Sequence, residues 1–131
     1  MITTGVDIIE LDRISAVLKR WGQRFLHRIY SLDEQTYCRG RIPQLAGRFA
    51  AKEAVMKALG TGIIGVGWKE IEILRQRGKR PTIHLNGRAK SFAAHNGFTD
   101  ISVSISHSRD YAVAFVIGEK VKNTTHKSRE I

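Results

Sequence analysis

The sequence predicts an α+β fold: a single domain in which a mainly antiparallel sheet packs against one central helix. Three observations carry the prediction. Residues alternate with strand period near both ends, at 2–9 and 101–106; two pairs of strand-like runs are joined by short turns, at 78–81 and near Arg109 and Asp110; and residues 45–59 form a helix-prone stretch that can pack on two faces. Short turns join antiparallel neighbours, whereas parallel strands need long crossovers. With 131 residues and 42% hydrophobic content, the chain has room for one core.

Each element follows from local pattern. In residues 2–9, Ile2, Thr4, Val6 and Ile8 share one side of a strand, and Thr3, Gly5, Asp7 and Ile9 share the other. Ile14, Val17, Leu18 and Trp21 then recur at helical spacing, with Asp12 at the N-cap position and Gly22 ending or interrupting the helix. Ser31, Leu32, Asp33 and Glu34 spell a capping box for a short helix, which Pro43 breaks.

The helix over 45–59 is closed by Gly60. On one face lie Leu45, Phe49, Val55, Met56 and Leu59, and opposite them the small residues Gly47, Ala51, Ala54 and Ala58, which predicts a central position. Residues 69–75 and 82–85 read as a strand pair, and Asn86-Gly87 opens a helix that ends near Gly97. After the strand bearing Ser102, Ser104 and Ser106, residues 111–117 are apolar on both faces. The domain is therefore expected over 1–118, with 119–131 a polar, disordered tail.

Basic side chains number 22 against 12 acidic, a net charge of +10, which attracts polyanions: nucleic acid, anionic membrane, a phosphate-rich cofactor or an acidic protein. No apolar run is long enough to span a bilayer, so membrane insertion is not expected. A lone cysteine, Cys38, and an N-terminus without a secretion signal point to the cytoplasm, where the Asn123-Thr124-Thr125 triplet has no meaning as a glycosylation site.

The most informative segment runs from Arg48 to Gly62. Four charges, Arg48, Lys52, Glu53 and Lys57, interrupt an otherwise apolar helix, and small or apolar neighbours leave little surface on which to solvate them. Charges lining an internal cleft explain this better than surface pairs, and three cations with one carboxylate suit a phosphate-plus-metal site. Asp7 is an acid among Val and Ile; an ion pair, a water-facing strand end or a metal would each satisfy it. Mg²⁺ commonly takes one or two carboxylates plus water and phosphate oxygens, a set that Asp7 and Glu53 could begin.

Ser106 and His107 end a serine-bearing strand and can both bind phosphate. With Asp110 they mimic a hydrolase triad, yet adjacent strand residues point to opposite faces, which excludes one. Residues 60–65 match a GxGxxG pattern but follow a helix instead of a strand, so the dinucleotide reading fails, although Gly60, Thr61 and Gly62 could still let backbone approach a nucleotide. Arg13, Arg20 and Arg24 form a single-signed stripe suited to an acidic partner.

Taken in order, residues 5–10 (GVDIIE), 47–54 (GRFAAKEA) with Lys57, 60–62 (GTG) and 103–107 (VSISH) resemble the holo-acyl-carrier-protein synthase family across residues 2–118. The resemblance implies the 4′-phosphopantetheinyl transferase fold, assembled as a homotrimer with coenzyme A in clefts between subunits. It also implies Mg²⁺ held by Asp7 and Glu53. Arg48, Lys57 and His107 would then contact phosphate, with Lys52 a further ligand.

In the implied reaction, a serine of acyl carrier protein attacks the β-phosphate of coenzyme A in support of fatty acid biosynthesis. A metal-bound water or Glu53 through water would take the serine proton, and Arg13, Arg20 and Arg24 would meet the carrier's acidic helix. The turn at 78–81 is one residue longer than the family's compact type. A small basic nucleic-acid-binding protein is the competing reading: it accounts for the charge but not for Asp7 and Glu53, and no base-stacking strand pattern accompanies it. A relative that binds coenzyme A without turning it over is a third.

Overall fold

The computed structural model describes residues 1–121. Its elements are β1 (Ile2–Glu10), α1 (Leu11–Trp21), α2 (Gln23–Ile29), α3 (Leu32–Cys38), α4 (Ile42–Leu59), α5 (Gly62–Gly65), β2 (Ile71–Leu74), β3 (Thr82–Leu85), α6 (Gly87–His95), β4 (Phe98–His107) and β5 (Tyr111–Lys120). A three-stranded sheet has the order β1-β5-β4, and β2 and β3 form a separate hairpin; every pairing is antiparallel. The expected α+β class is thus observed.

α4 is the axis of the molecule. Leu45, Ala46, Ala50, Ala51, Ala54 and Val55 are fully buried, because the helix is enclosed by the sheet on one side and by the other helices and β2 elsewhere. Its small face is what allows the sheet so close. A Cβ on Gly5 of β1 would collide with the Ala54 carbonyl oxygen, and one on Gly47 would come within 2.8 Å of Ile105 of β4. The two glycines therefore admit α4 across the full width of β1-β5-β4.

Several local expectations change. Pro43 opens α4 instead of merely ending the preceding segment, since a first-turn proline lacks only an N–H that would be unpaired there. Glu10, not Asp12, is the N-cap of α1, because β1 runs directly into the helix. The chain breaks at Gly22 (φ 54, ψ −128) into α2, so the basic stripe spans two helices. A short 3₁₀ turn at Trp68–Glu70 replaces the start of the expected strand at 69–75. The Ser31–Glu34 capping box forms as predicted.

The far boundary also moves. Glu119 and Lys120 belong to β5, where Glu119 pairs with Ile2, so the domain does not end at 118; the rest of the expected tail, 122–131, lies outside the described residues. In β1 the odd side, Gly5, Asp7 and Ile9, faces α4, while the more apolar even side, Ile2, Val6 and Ile8, is exposed. Phe115 and Ile117 of β5 continue that exposed patch.

Candidate active site

The position of α4 decides which charges can meet. Arg48 and Glu53 are five residues apart, about 140° around the helix, and Arg48 and Lys57 nine, about 180°. With the small face on the sheet, Glu53 and Lys57 fall on the β1 flank and Arg48 on the flank towards β4.

On the β1 flank, the Lys57 ammonium donates to Asp7 Oδ1 at 3.1 Å and to the Val6 carbonyl at 3.0 Å. Asp7 is largely covered, whereas Lys57 reaches solvent. Burial, and then the negative charge of Asp7, push the Glu53 carboxyl above its ordinary range, with Lys57 and Arg13 opposing them. Two carboxylates that repel each other at a half-buried strand–helix junction, both hard oxygen donors, fit a divalent cation of the Mg²⁺ kind. Among the described residues no group of three or more His, Cys, Asp or Glu could enclose a metal, so an ion here would fill its shell with water and substrate oxygens.

On the other flank, Arg48 is only 4% exposed. Its guanidinium lies over the Tyr37 ring, 4.3 Å from the centroid, and donates through Nη1 to the Gln44 carbonyl at 3.3 Å. Nε and Nη2 are buried without a protein partner. A buried guanidinium with two unanswered nitrogens, three N–H donors between them, is unfavourable, and an anion would satisfy them.

A cavity of about 60 Å³ beside Arg48 is lined by Tyr37, Gln44, Arg75, Pro81 and His107. Through Tyr37 and Arg75 it shares walls with a groove of about 630 Å³ along the β2–β3 hairpin, where Lys79, Arg80 and His84 add positive or polar groups. That volume is in the range of nucleotide-sized sites.

The structure brings together Asp7, Glu53 and Lys57, and separately Arg48 and His107. Lys52 is corrected: it is fully buried, and its ammonium is taken up by Glu34 Oε1 at 2.8 Å, the Trp68 carbonyl at 3.1 Å and the Ile71 carbonyl, leaving no proton for a phosphate. Ser106 is exposed on the face of β4 that carries Ser102 and Ser104, opposite the face from which His107 lines the Arg48 cavity. Gly60 (φ 83) ends α4 in the left-handed region, Thr61 follows with its amide on the Met56 carbonyl, and Gly62 starts α5.

Arg13, Arg20 and Arg24 are exposed. Trp21, expected on the buried face of α1, is instead 47% exposed, with the guanidiniums of Arg20 and Arg24 over its ring at 5.1 and 5.7 Å. Sequence reading did not single out Tyr37, Arg75, Lys79 and Arg80, which line the groove, with Tyr37 and Arg75 also lining the Arg48 cavity. The available signal was the basic pair inside the lengthened hairpin turn.

A sequence model of the 4′-phosphopantetheinyl transferase superfamily matches residues 3–116. A holo-[acyl-carrier-protein] synthase from Herpetosiphon aurantiacus is 46% identical over 125 residues, spanning 90% of this chain and 98% of that one. Among solved structures, the holo-[acyl-carrier-protein] synthase of Neisseria meningitidis superposes with a TM-score of 0.84 at 37% identity, covering 92% of this chain and 100% of that one. That of Helicobacter pylori, in complex with coenzyme A, gives 0.81 at 33% identity, covering 88% and 99%.

Proposed function

The chain belongs to the 4′-phosphopantetheinyl transferase superfamily, and we propose that it is a holo-[acyl-carrier-protein] synthase. It transfers the 4′-phosphopantetheine group from coenzyme A to a serine of an apo-acyl carrier protein and releases adenosine 3′,5′-bisphosphate. The observation that carries this reading is the convergence of Asp7, Glu53 and Lys57 at the β1 flank of α4, two carboxylates and an ammonium where a pyrophosphate needs both a metal and a cation.

Asp7 and Glu53 are the residues that would hold Mg²⁺, which when bound neutralises and polarises the phosphoryl oxygens. Lys57 spends two ammonium protons on Asp7 and Val6 and keeps a third for a phosphate oxygen. Arg48, aided by His107, receives a further phosphate in the small cavity, and the hairpin groove takes the nucleotide. The serine oxygen then attacks the β-phosphorus in line as the bond to the 3′,5′-ADP oxygen breaks, with positioning and charge supplying the acceleration.

Because the two clusters open on opposite flanks of α4, a coenzyme A molecule touching both takes them from two copies of the chain. The exposed apolar patch of Ile2, Val6, Ile8, Phe115 and Ile117 supports self-association, and a homotrimer is the assembly we assign, in keeping with the family resemblance. Arg13, Arg20 and Arg24 dock the acidic carrier. No helix among the described residues is long and apolar enough to cross a membrane. We assign the protein to the cytoplasm and to fatty acid biosynthesis.

Intact-mass spectrometry of an apo-acyl carrier protein incubated with the protein, coenzyme A and Mg²⁺, beside a chelator control, tests the reading. A phosphopantetheine mass gain that disappears with the chelator supports it in full. Absence of any gain on several folded apo carriers overturns it.

A further inference from the structure

Lys52 and Glu34 are both completely buried, and they are 18 residues apart in sequence. A lysine is rarely buried completely unless its charge is paired, and here every polar atom of the pair is used. The ammonium donates to Glu34, to the Trp68 carbonyl and to the Ile71 carbonyl. Glu34 Oε1 also accepts from the Ser31 amide at 2.8 Å, and Oε2 accepts from the Ile73 amide at 2.9 Å. The Ser31 hydroxyl in turn donates to Glu72, so a second carboxylate backs the cluster.

The pair thus ties three pieces of chain to α4: the start of α3, the 3₁₀ turn at Trp68 and both ends of the Ile71–Ile73 run. One of these ties bears on the reaction. Residues 60–67 leave α4 at Gly60, whose amide is held by Met56, and return at Trp68, whose carbonyl is held by Lys52 and whose indole stacks on Phe49 at 4.9 Å. Both ends of this loop are therefore anchored on α4, and the loop begins three residues beyond Lys57. Lys52 itself immediately precedes Glu53 on the helix.

We propose that Lys52 and Glu34 are positioning residues for the transfer: the buried pair holds the return of the 60–67 loop against α4 and so fixes the loop and the Glu53–Lys57 flank in the geometry that receives the coenzyme A pyrophosphate. The inference rests on the coenzyme A reading above. It assigns Lys52 no contact with the nucleotide. Misplacement of a loop by a fraction of an ångström is enough to weaken binding without altering any ligand-contacting side chain.

The test compares Lys52→Met, Glu34→Gln and the double variant with the wild type, using 3′,5′-ADP and coenzyme A as probes. The double variant removes both charges together and so avoids the unpaired buried charge that either single change leaves, and circular dichroism selects the folded protein for the binding measurements. Folded double variant is expected to bind 3′,5′-ADP roughly tenfold more weakly and to raise the KM for coenzyme A in step, while the KM for the carrier stays within about twofold. Glu34→Gln alone should weaken 3′,5′-ADP binding as well, and the double variant should be no worse than the weaker single, because the two residues act as one unit.

If Glu34→Gln leaves 3′,5′-ADP affinity intact while Lys52→Met loses it, Lys52 touches phosphate directly and the proposal is wrong. Unchanged affinity and KM in a folded but less stable double variant reduce the pair to a purely structural role and also overturn it. Amide hydrogen exchange separates this inference from the coenzyme A reading. Should the wild type bind neither probe, the functional reading falls, while faster exchange confined to residues 60–71 in the double variant still supports the positioning role and unchanged exchange there refutes it.

Discussion

Gly5 of β1 lies directly beneath Ala54 of α4, close enough that any side chain at Gly5 would enter the Ala54 carbonyl oxygen. This contact sets the distance between the strand that carries Asp7 and the helix that carries Glu53 and Lys57. Gly5→Ala must push helix and strand apart. It should destabilise the fold by about 1–3 kcal/mol in urea unfolding and reduce transfer in the fraction that remains folded. Wild-type stability and activity together would mean that the approach is looser than described.

Asp7→Asn keeps the size of the side chain and an oxygen for Lys57 but removes the carboxylate charge. The Asp7–Lys57 pair joins a covered carboxylate to a solvent-reaching ammonium, so its loss costs about 0–1 kcal/mol of stability. Transfer should nevertheless fall by orders of magnitude, and Glu53→Gln should do the same. Carrier mass spectra at saturating coenzyme A measure this, and near-normal turnover in either variant removes the metal assignment.

Arg48→Met offers a separation of stability from function. The native guanidinium leaves Nε and Nη2 buried and unanswered, so a methionine of similar length should leave the thermal midpoint unchanged or raise it, by about 1 kcal/mol in stability. Affinity for 3′,5′-ADP, followed by calorimetry, should drop sharply. A stabilised variant with undiminished affinity would place the phosphate elsewhere.

Charge reversal at Arg20 or Arg24 should raise the KM for the carrier roughly tenfold at low ionic strength and leave coenzyme A affinity alone. The defect should shrink as salt screens the encounter. A salt-independent change, or none, counts against the docking stripe.

Cys38 is fully buried at the end of α3, and burial, partly offset by Arg48, pushes its thiol up to about 11. In the unfolded chain the thiol ionises near 9, so the folded state keeps its proton through the interval in which the unfolded state loses it. The resulting stabilisation is complete below pH 9 and is lost as the pH rises towards 11. Wild type should therefore lose stability across that interval more steeply than Cys38→Ala, and at pH 8 the thiol should react with a disulfide reagent only after unfolding.

Much of this was legible in the residues. Two-residue alternation marked β1 and β4, Ser31 and Glu34 spelled their capping box, and Gly47, Ala51, Ala54 and Ala58 announced a helix that packs against a sheet. Glu53 and Lys57 stood out as charges on an otherwise apolar helix, whereas for Asp7 the residues alone left an ion pair, a water-facing strand end and a metal open, and the family resemblance favoured the metal. Less legible was orientation: Trp21 fits the apolar face of α1 by spacing, yet it is exposed because the chain turns at Gly22 and leaves it beneath two arginines.

By itself the sequence determined the class of fold, the order of its elements and the family, because each of these depends on local periodicity and on motifs contiguous in the chain. Only the tertiary structure decided what each charge does. Lys52 and Arg48 are indistinguishable as cations on a buried helix face, yet the Lys52 ammonium is fully answered by Glu34 and two carbonyls, whereas Arg48 spends only Nη1 on the Gln44 carbonyl and keeps Nε and Nη2 unanswered, which is what suits it to an anion. The cost of burying a charge is set by the partners that surround it, and those partners come from segments that only folding brings together.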